Sequence, residues 1–188
     1  MSEGLVHRSI AHARAGASPA VRPPAPSPMP TVAAVRVALA EVPDPEIPVV
    51  SIVDLGMVED VTVGPTGIGV MLLPTFVGCP ALDIIRTAVE ARLASFEVSV
   101  AVRFDYRVPW TSERITPVGR EKLRSSGFAP PNPALPGAEL LVHLGTPVPC
   151  PNCGSRRTVL ENAFGPTRCR AIYHCTACRQ PFETFKTV

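Results

Sequence analysis

The pattern of hydrophobic and polar residues predicts alternating helices and strands along most of the chain. Val32, Val35 and Leu39 recur at helical spacing within residues 31–42 and predict a first helix, which two prolines then end. Two β-prone runs, MVEDVTV and IGVMLL, flank the turn sequence GPTG. This arrangement predicts a β-hairpin.

A second helix, a third strand and a short third helix follow the hairpin. The apolar face of the second helix, within PALDIIRTAVEARLASF, is formed by Leu82, Ile85, Val89, Leu93 and Phe96. The run EVSVAVRFDY alternates strictly, which places on one face of a strand Val98, Val100, Val102, Phe104 and Tyr106. Thr116 and Pro117 begin the short helix, and Gly127 ends it. The sequence therefore predicts an α+β domain, a small sheet with helices packed on one face.

Composition divides the chain into four parts. Residues 1–30 are rich in Ala, Pro, Ser and Arg and are predicted to be a disordered, dispensable tail. The α+β domain occupies residues 31–128, and a proline-rich linker covers 129–148. Residues 149–188 form a separate cysteine-containing module.

Overall composition excludes some classes of protein. A hydrophobic fraction of 46% in 188 residues supports a buried core, but no apolar run is long enough for a membrane span. The formal net charge is only +2. Residues 150–188 hold six Lys/Arg and two Asp/Glu, so the basic charge lies in the C-terminal module. The absence of a secretory segment predicts a cytoplasmic protein with reduced thiols.

Four of the six cysteines form two C-x-x-C pairs, Cys150 with Cys153 and Cys175 with Cys178. Two such turns can present four thiolates to one ion in tetrahedral geometry. Zinc is the ion that best fits this set, and iron is the alternative. The intervening segment has two β-prone runs, which predict a β-hairpin zinc ribbon. Because the module is small, the metal is expected to supply much of its folding energy.

The basic residues of the ribbon raise a second interpretation. Five arginines could contact phosphates of a nucleic acid: Arg156, Arg157, Arg168, Arg170 and Arg179. A solvated basic face, or a surface for an acidic protein, explains them equally and is favoured. Cys169, a fifth thiol in the module, is interpreted as a small apolar strand residue. Its alternative role is that of a substitute ligand during metal exchange.

Cys79 stands apart from the other cysteines, between Gly78 and Pro80. Its place before the second helix predicts a position at the helix N-terminus, where free N–H groups would lower the pKa of the thiol. Thr75 can supply a nearby hydroxyl. Six residues separate Cys79 from Arg86, whereas a phosphate-binding Cys-based loop needs five. Position alone leaves a reactive and a structural role open.

The segment DPEIPVVSIVDLG carries three carboxylates, Asp44, Glu46 and Asp54. Their spacing favours turn formation and capping. The alternative is that they are oxygen ligands close to the Cys79 thiolate, a combination suited to iron.

Several stretches together resemble one family: VPDPEIPVVSIVDLGMV, PTFVGCPA, VPWTSERIT, REKLRSSGFAPP, CPNC and FGPTRCRAIYHCTACRQPFETFK. They are similar to the PaaD-type subunit of bacterial phenylacetyl-CoA 1,2-epoxidase. The resemblance runs from about residue 32 to the C-terminus, and residues 31–128 alone resemble the SufT-like iron–sulfur assembly domain.

The resemblance implies an accessory subunit of a multicomponent oxygenase of phenylacetate catabolism, which is not itself catalytic. It implies that Cys79 and the acidic motif of Asp44, Glu46 and Asp54 transiently hold iron or a cluster. It further implies other epoxidase subunits as partners, either the di-iron oxygenase or the reductase. A homodimer that shares ligands through Cys79 stays open. The rival hypotheses are a nucleic-acid-binding or adaptor ribbon protein and an enzyme that uses the Cys79 thiolate.

Overall fold

A computed structural model describes residues 29–131, 148–167 and 169–185 of the chain. All but the last two residues of the predicted tail, and residues 132–147 of the predicted linker, lie outside the described residues. None of the helices in the described part of the chain has the length and apolar character needed to cross a membrane.

The first domain follows the predicted order of elements. It comprises α1 Val32–Leu39, β1 Val58–Gly64, β2 Gly67–Leu72, α2 Leu82–Leu93, β3 Val100–Phe104 and α3 Pro117–Ser125. The sheet has the order β1-β2-β3, in which β1 and β2 are antiparallel and β2 and β3 are parallel. Helix α2 makes the crossover between the two parallel strands, as such a connection requires. The predicted α+β fold is confirmed.

Capping side chains set the start of two helices. The Thr31 hydroxyl accepts a hydrogen bond from the backbone N–H of Ala34 at 3.1 Å at the start of α1. Thr116 does the same for Gly119 at 3.0 Å at the start of α3, where Pro117 occupies the first helical position. Both are favourable N-terminal signals, which is why the sequence locates these starts well.

The core lies between the helices and one face of the sheet. Its helical part consists of the fully buried Val35, Leu39, Ile85, Val89 and Leu93. Two predicted inward residues are exposed, Val32 by 40% and Tyr106 by 58%. Val32 lies in the first turn of α1, and Tyr106 lies in a bend beyond the end of β3, where strand alternation no longer applies.

The ribbon belongs to a second sheet that both domains build. Its strands are β4 Phe128–Ala129, β5 Thr158–Asn162, β6 Arg170–Cys175 and β7 Pro181–Phe185. The order is β4-β7-β6-β5, and β4 follows α3 of the first domain. Phe128 pairs with Glu183, and Ala129 pairs with Thr184. The sheet therefore continues across the boundary between the two predicted domains.

Side chains reinforce this junction. Phe185 and Cys169 of the ribbon are part of the hydrophobic core of the first domain. The rings of Phe185 and Trp110 have centroids 6.3 Å apart. The Thr184 hydroxyl donates a hydrogen bond to the carbonyl of Ala129 at 3.0 Å. The ribbon thus packs against the first domain through both its backbone and its apolar side chains.

Candidate functional site

The two C-x-x-C pairs bring four thiols together. The Sγ atoms of Cys150 and Cys178 are 3.7 Å apart, and those of Cys153 and Cys175 are 3.6 Å apart. All four sulfur atoms lie within 4.8 Å of one another. A tetrahedron with zinc–sulfur bonds of about 2.3 Å has sulfur–sulfur edges of about 3.8 Å. The four thiols, called the tetrad below, therefore fit one zinc ion.

Tight turns hold each half of the tetrad. Gly154 donates its backbone N–H to Cys150 at 2.9 Å, and Arg179 donates to Cys175 at 2.8 Å. The residue after the second cysteine of each pair has a positive φ, 72° at Gly154 and 61° at Arg179. Backbone N–H groups of Cys178 and Ala177 point to the Cys175 thiol and lower its pKa. The backbone thus favours a thiolate, the form that binds metal.

Cys79 lies in the loop after the carboxyl end of β2, an edge where α/β proteins often bind ligands. Helix α2 begins at Leu82 and has Ala81 as its N-cap, so Cys79 lies two residues before the cap. Burial raises the pKa of the Cys79 thiol, and the charges of Glu46 and Asp44 raise it further, although the Ala81 N–H lowers it. The expectation of a lowered pKa is therefore wrong, because non-local carboxylates and desolvation outweigh the helix terminus.

The acidic loop before β1 is folded around Asp44. The Oδ1 atom of Asp44 accepts hydrogen bonds from the backbone N–H groups of Glu46, at 2.9 Å, and Ile47, at 2.8 Å. Burial raises the pKa of Asp44, and these two bonds only partly offset it. Since the charges of Asp44 and Glu46 both act on the Cys79 thiol, the structure brings these three predicted residues together. Thr75 is buried in the same loop, four residues before Cys79.

Asp54 makes different contacts. Its Oδ2 atom accepts hydrogen bonds from the Ser51 backbone N–H, at 2.9 Å, and from the Lys122 ammonium, at 2.6 Å. Burial would raise the pKa of Asp54, but these donors hold it below its usual value. Asp54 therefore connects the acidic loop to α3.

Asp54→Asn is expected to destabilise the fold by about 1–2 kcal/mol at pH 7, because it removes a charge-assisted bond to a partly exposed Lys122. The folded pKa is lowered, so the stabilisation by the carboxylate is complete above its unfolded pKa and is lost as pH falls through the folded pKa. Urea unfolding of both proteins at pH 7 and pH 3 measures the difference. A difference that stays equal or grows at pH 3 would contradict the assignment.

Cys169 joins the acidic loop from the ribbon, a contact that sequence reasoning missed. Its Sγ atom lies 3.1 Å from Glu46 Oε2 and 3.1 Å from the Thr167 hydroxyl. Burial raises the pKa of the Cys169 thiol to about 12, and the Glu46 carboxylate adds to the effect. Cys169 is not part of the tetrad group. No local pattern could reveal this, since 123 positions separate the two residues.

Arg170 is not available for a phosphate. Its side chain is 9% exposed, and its guanidinium donates to Glu183 Oε2 at 2.9 Å and to the carbonyl of Glu46. The guanidinium also lies over the Phe128 ring, 5.2 Å from its centroid. The interpretation of Arg170 as a phosphate contact is therefore wrong. Arg156, Arg157 and Arg179 are exposed, and Arg168 lies outside the described residues.

In the described residues, the tetrad is the one group of three or more His, Cys, Asp or Glu with donor atoms within 4.8 Å of one another. The groups around Cys79 are neighbours without converging on a point. The structure thus holds one closed site suited to a resident ion and one open group of thiols and carboxylates.

Two family models match the chain. Residues 32–104 match the model of an iron–sulfur cluster assembly protein, and residues 138–186 match that of the PaaD zinc beta ribbon domain. A protein of Escherichia coli, named as a subunit of 1,2-phenylacetyl-CoA epoxidase (the one lettered D), is 41% identical over 151 residues. The match covers 80% of this chain and 89% of that protein.

Solved structures resemble the first domain. A domain of unknown function from Bacillus anthracis is 31% identical and has a TM-score of 0.45, with 47% of this chain and 87% of that chain covered. A conserved hypothetical protein from Thermotoga maritima is 33% identical and has a TM-score of 0.41, with coverages of 50% and 93%.

Proposed function

Because the chain belongs to the family of PaaD-type subunits of 1,2-phenylacetyl-CoA epoxidase, we propose that it is an accessory subunit that helps to assemble a metal centre in that enzyme. Its cargo is iron or an iron–sulfur cluster, which it holds transiently and passes to a partner subunit. The chain does not carry out the epoxidation itself. This role places it in the cytoplasm, together with the other subunits.

The observation that carries the proposal is the position of Cys79 beside the two carboxylates of the acidic loop. Cys79 is half-buried, and both Glu46 and Asp44 act on its thiol. A thiolate with nearby carboxylates offers iron both soft and hard ligands. The thiol is protonated near neutral pH, because its pKa is raised, and it must release a proton when metal binds. Such a group binds cargo less tightly than a preformed site, as delivery requires.

The tetrad takes a different part in this function. Its four thiols are set for a resident zinc ion, which would be held by Cys150, Cys153, Cys175 and Cys178. Bound zinc supplies a fixed tetrahedral link between the two turns and no redox chemistry. The ribbon then serves as a rigid module that contacts the partner, either the di-iron oxygenase subunit or the reductase subunit. Burial of Arg170 removes one of the five arginines from the nucleic-acid alternative.

The proposal is tested on the epoxidase from a bacterial strain that lacks this chain. We expect its oxygenase or reductase subunit to be deficient in iron and the enzyme to have little activity. Expression of the intact chain should restore both. Iron analysis of each purified subunit identifies the client, and equal subunit levels on a blot serve as the control.

Fully iron-loaded subunits and normal epoxidase activity without the chain would refute the maturation role. Normal iron content with lost activity would also refute it, and would assign the chain to assembly of the complex alone.

A further inference from the structure

A second thiol lies on the acidic loop from the opposite domain. Cys79 comes from the loop after β2, and Cys169 comes from the turn before β6 of the ribbon. Glu46 interacts with both, since its Oε2 lies 3.1 Å from Cys169 Sγ and its charge acts on the Cys79 thiol. We propose that Cys169 is a second thiol ligand of the cargo site, so that a thiophilic metal centre binds between the two domains.

The packing of Cys169 supports this assignment over a role in the tetrad. Cys169 is 8% exposed and belongs to the hydrophobic core of the first domain, whereas Cys150 and Cys175 belong to the core of the ribbon. Its hydrogen-bond partners are Thr167 and Glu46. Strand β6 thus has a tetrad cysteine at its end, Cys175, and places Cys169, just before its start, at the acidic loop.

The charges around the two thiols support binding of a cation. Asp44, Glu46, Cys79 and Cys169 are four acidic groups, and Arg170 is the cation that acts on both Asp44 and Cys169. Arg170 is already engaged, because one of its nitrogens donates to Glu183. Burial and mutual repulsion raise the pKa values of Asp44, Cys79 and Cys169 together. A metal ion supplies the missing positive charge and displaces the thiol protons to solvent.

Arg170 provides an independent indication of a bound species. The Nε atom of Arg170 is buried and has no hydrogen-bond acceptor within the part of the chain that the structure describes. The same guanidinium donates to the Glu46 carbonyl, so the unpaired N–H lies on a side chain that reaches the acidic loop. A buried donor without an acceptor costs free energy, and an anion carried by the metal, such as sulfide, can accept its hydrogen bond.

Binding requires the Cys79 loop to close. The donors of these groups are not within 4.8 Å of one another, since the tetrad alone meets that criterion among the described residues. Gly78 precedes Cys79 with φ +90°, and no atom lies within 4 Å of the place its Cβ would occupy. The loop therefore has a permissive backbone position and free space beside the thiol.

This inference rests on the proposed function, and cobalt(II) binding tests it separately. The full chain with zinc in the tetrad is titrated with cobalt(II) under anaerobic conditions, and thiolate-to-cobalt absorption is measured per bound ion. Zinc stays in the tetrad because it is bound more tightly than cobalt. We expect absorption from two thiolates in the wild-type protein, half of it in Cys169→Ser and in Cys79→Ser, and none in the double variant.

Cys169→Ser is a matched change, because serine keeps a hydroxyl that can donate to Glu46 and a purely structural thiol would tolerate it. We expect cobalt affinity to fall more than about tenfold in this variant, since even outer partners of a metal change affinity that much. Wild-type absorption and affinity in Cys169→Ser, or no absorption in the zinc-loaded wild type, would overturn the inference.

Cys79→Ser decides the matter if Cys169→Ser does not fold. A residual band from one thiolate in Cys79→Ser requires Cys169, and complete loss of the band overturns the inference. In that second case Cys79 is the single thiol of the site, and the proposed maturation role stands. Loss of the maturation role itself is recognised by the iron content of the epoxidase subunits.

Discussion

Cys79→Ser is expected to abolish growth on phenylacetate in a strain that depends on this chain, while the protein stays folded. Serine is close to cysteine in size, and Cys79 is only half-buried, so the free energy of unfolding should fall by about 1 kcal/mol or less. The functional loss should be complete because serine stays protonated near neutral pH and is a poor ligand for iron. Growth, soluble yield and melting temperature are measured together.

Cys79→Ala is the control for this comparison. A thiol that only fills space would tolerate serine and alanine in similar degree, and both variants would grow. A thiol that binds metal would be needed in both. Normal growth of the serine variant would make Cys79 a packing residue and would leave the ribbon as the functional part of the chain.

Removal of zinc from the tetrad is expected to unfold the ribbon and detach β7 from the first domain. The core of the ribbon has only seven buried residues, three of which are Ala or Val. Zinc binding to zinc-finger peptides contributes about 10 kcal/mol or more, which exceeds what so small a core can supply. Loss of the ion should therefore remove the pairing between β7 and β4 as well.

Trp110 provides a specific signal for this event. It is the single tryptophan of the chain, is 3% exposed and lies 6.3 Å from the Phe185 ring of β7. Its indole N–H donates to the carbonyl of Leu55 in the first domain at 2.8 Å, so it stays with that domain when the ribbon leaves. We expect chelation to shift its fluorescence emission to longer wavelength and to open the ribbon to proteolysis.

Cys79→Ser is a useful control here, because it keeps the tetrad and should respond to chelation like the wild type. Cys153→Ser should show the shifted emission before any chelator is added. Unchanged emission and an intact ribbon after elemental analysis shows that zinc has left would contradict the prediction.

Local patterns explain why most elements could be predicted from the sequence. The helical spacing of Ile85, Val89 and Leu93 and the capping residues Thr31 and Thr116 act within a few positions of the chain. The thiol tetrad was predictable for the same reason, because each C-x-x-C pair is a local turn. Only the meeting of the two turns is a long-range event, and one metal ion is enough to require it.

The remaining features depend on distant contacts. Strand β4 has two residues, too few for any alternation, and it forms because β7 lies beside it. The pKa of Cys79 was predicted from the nearby helix, whereas burial and the acidic loop determine its direction. The contact between Cys169 and Glu46 joins residues from different domains, and nothing near either residue indicates the other.

The pairing of β4 with β7 has a consequence for how the protein can be divided. Strand β7 lies inside the four-stranded sheet only because β4, which follows α3, covers its outer side. A fragment that begins after β4 would present unpaired backbone N–H and C=O groups of β7 to solvent, which is a template for strand addition by another chain. Isolated ribbons should therefore self-associate, and fragments that start before Phe128 should be better behaved because they bring their own edge.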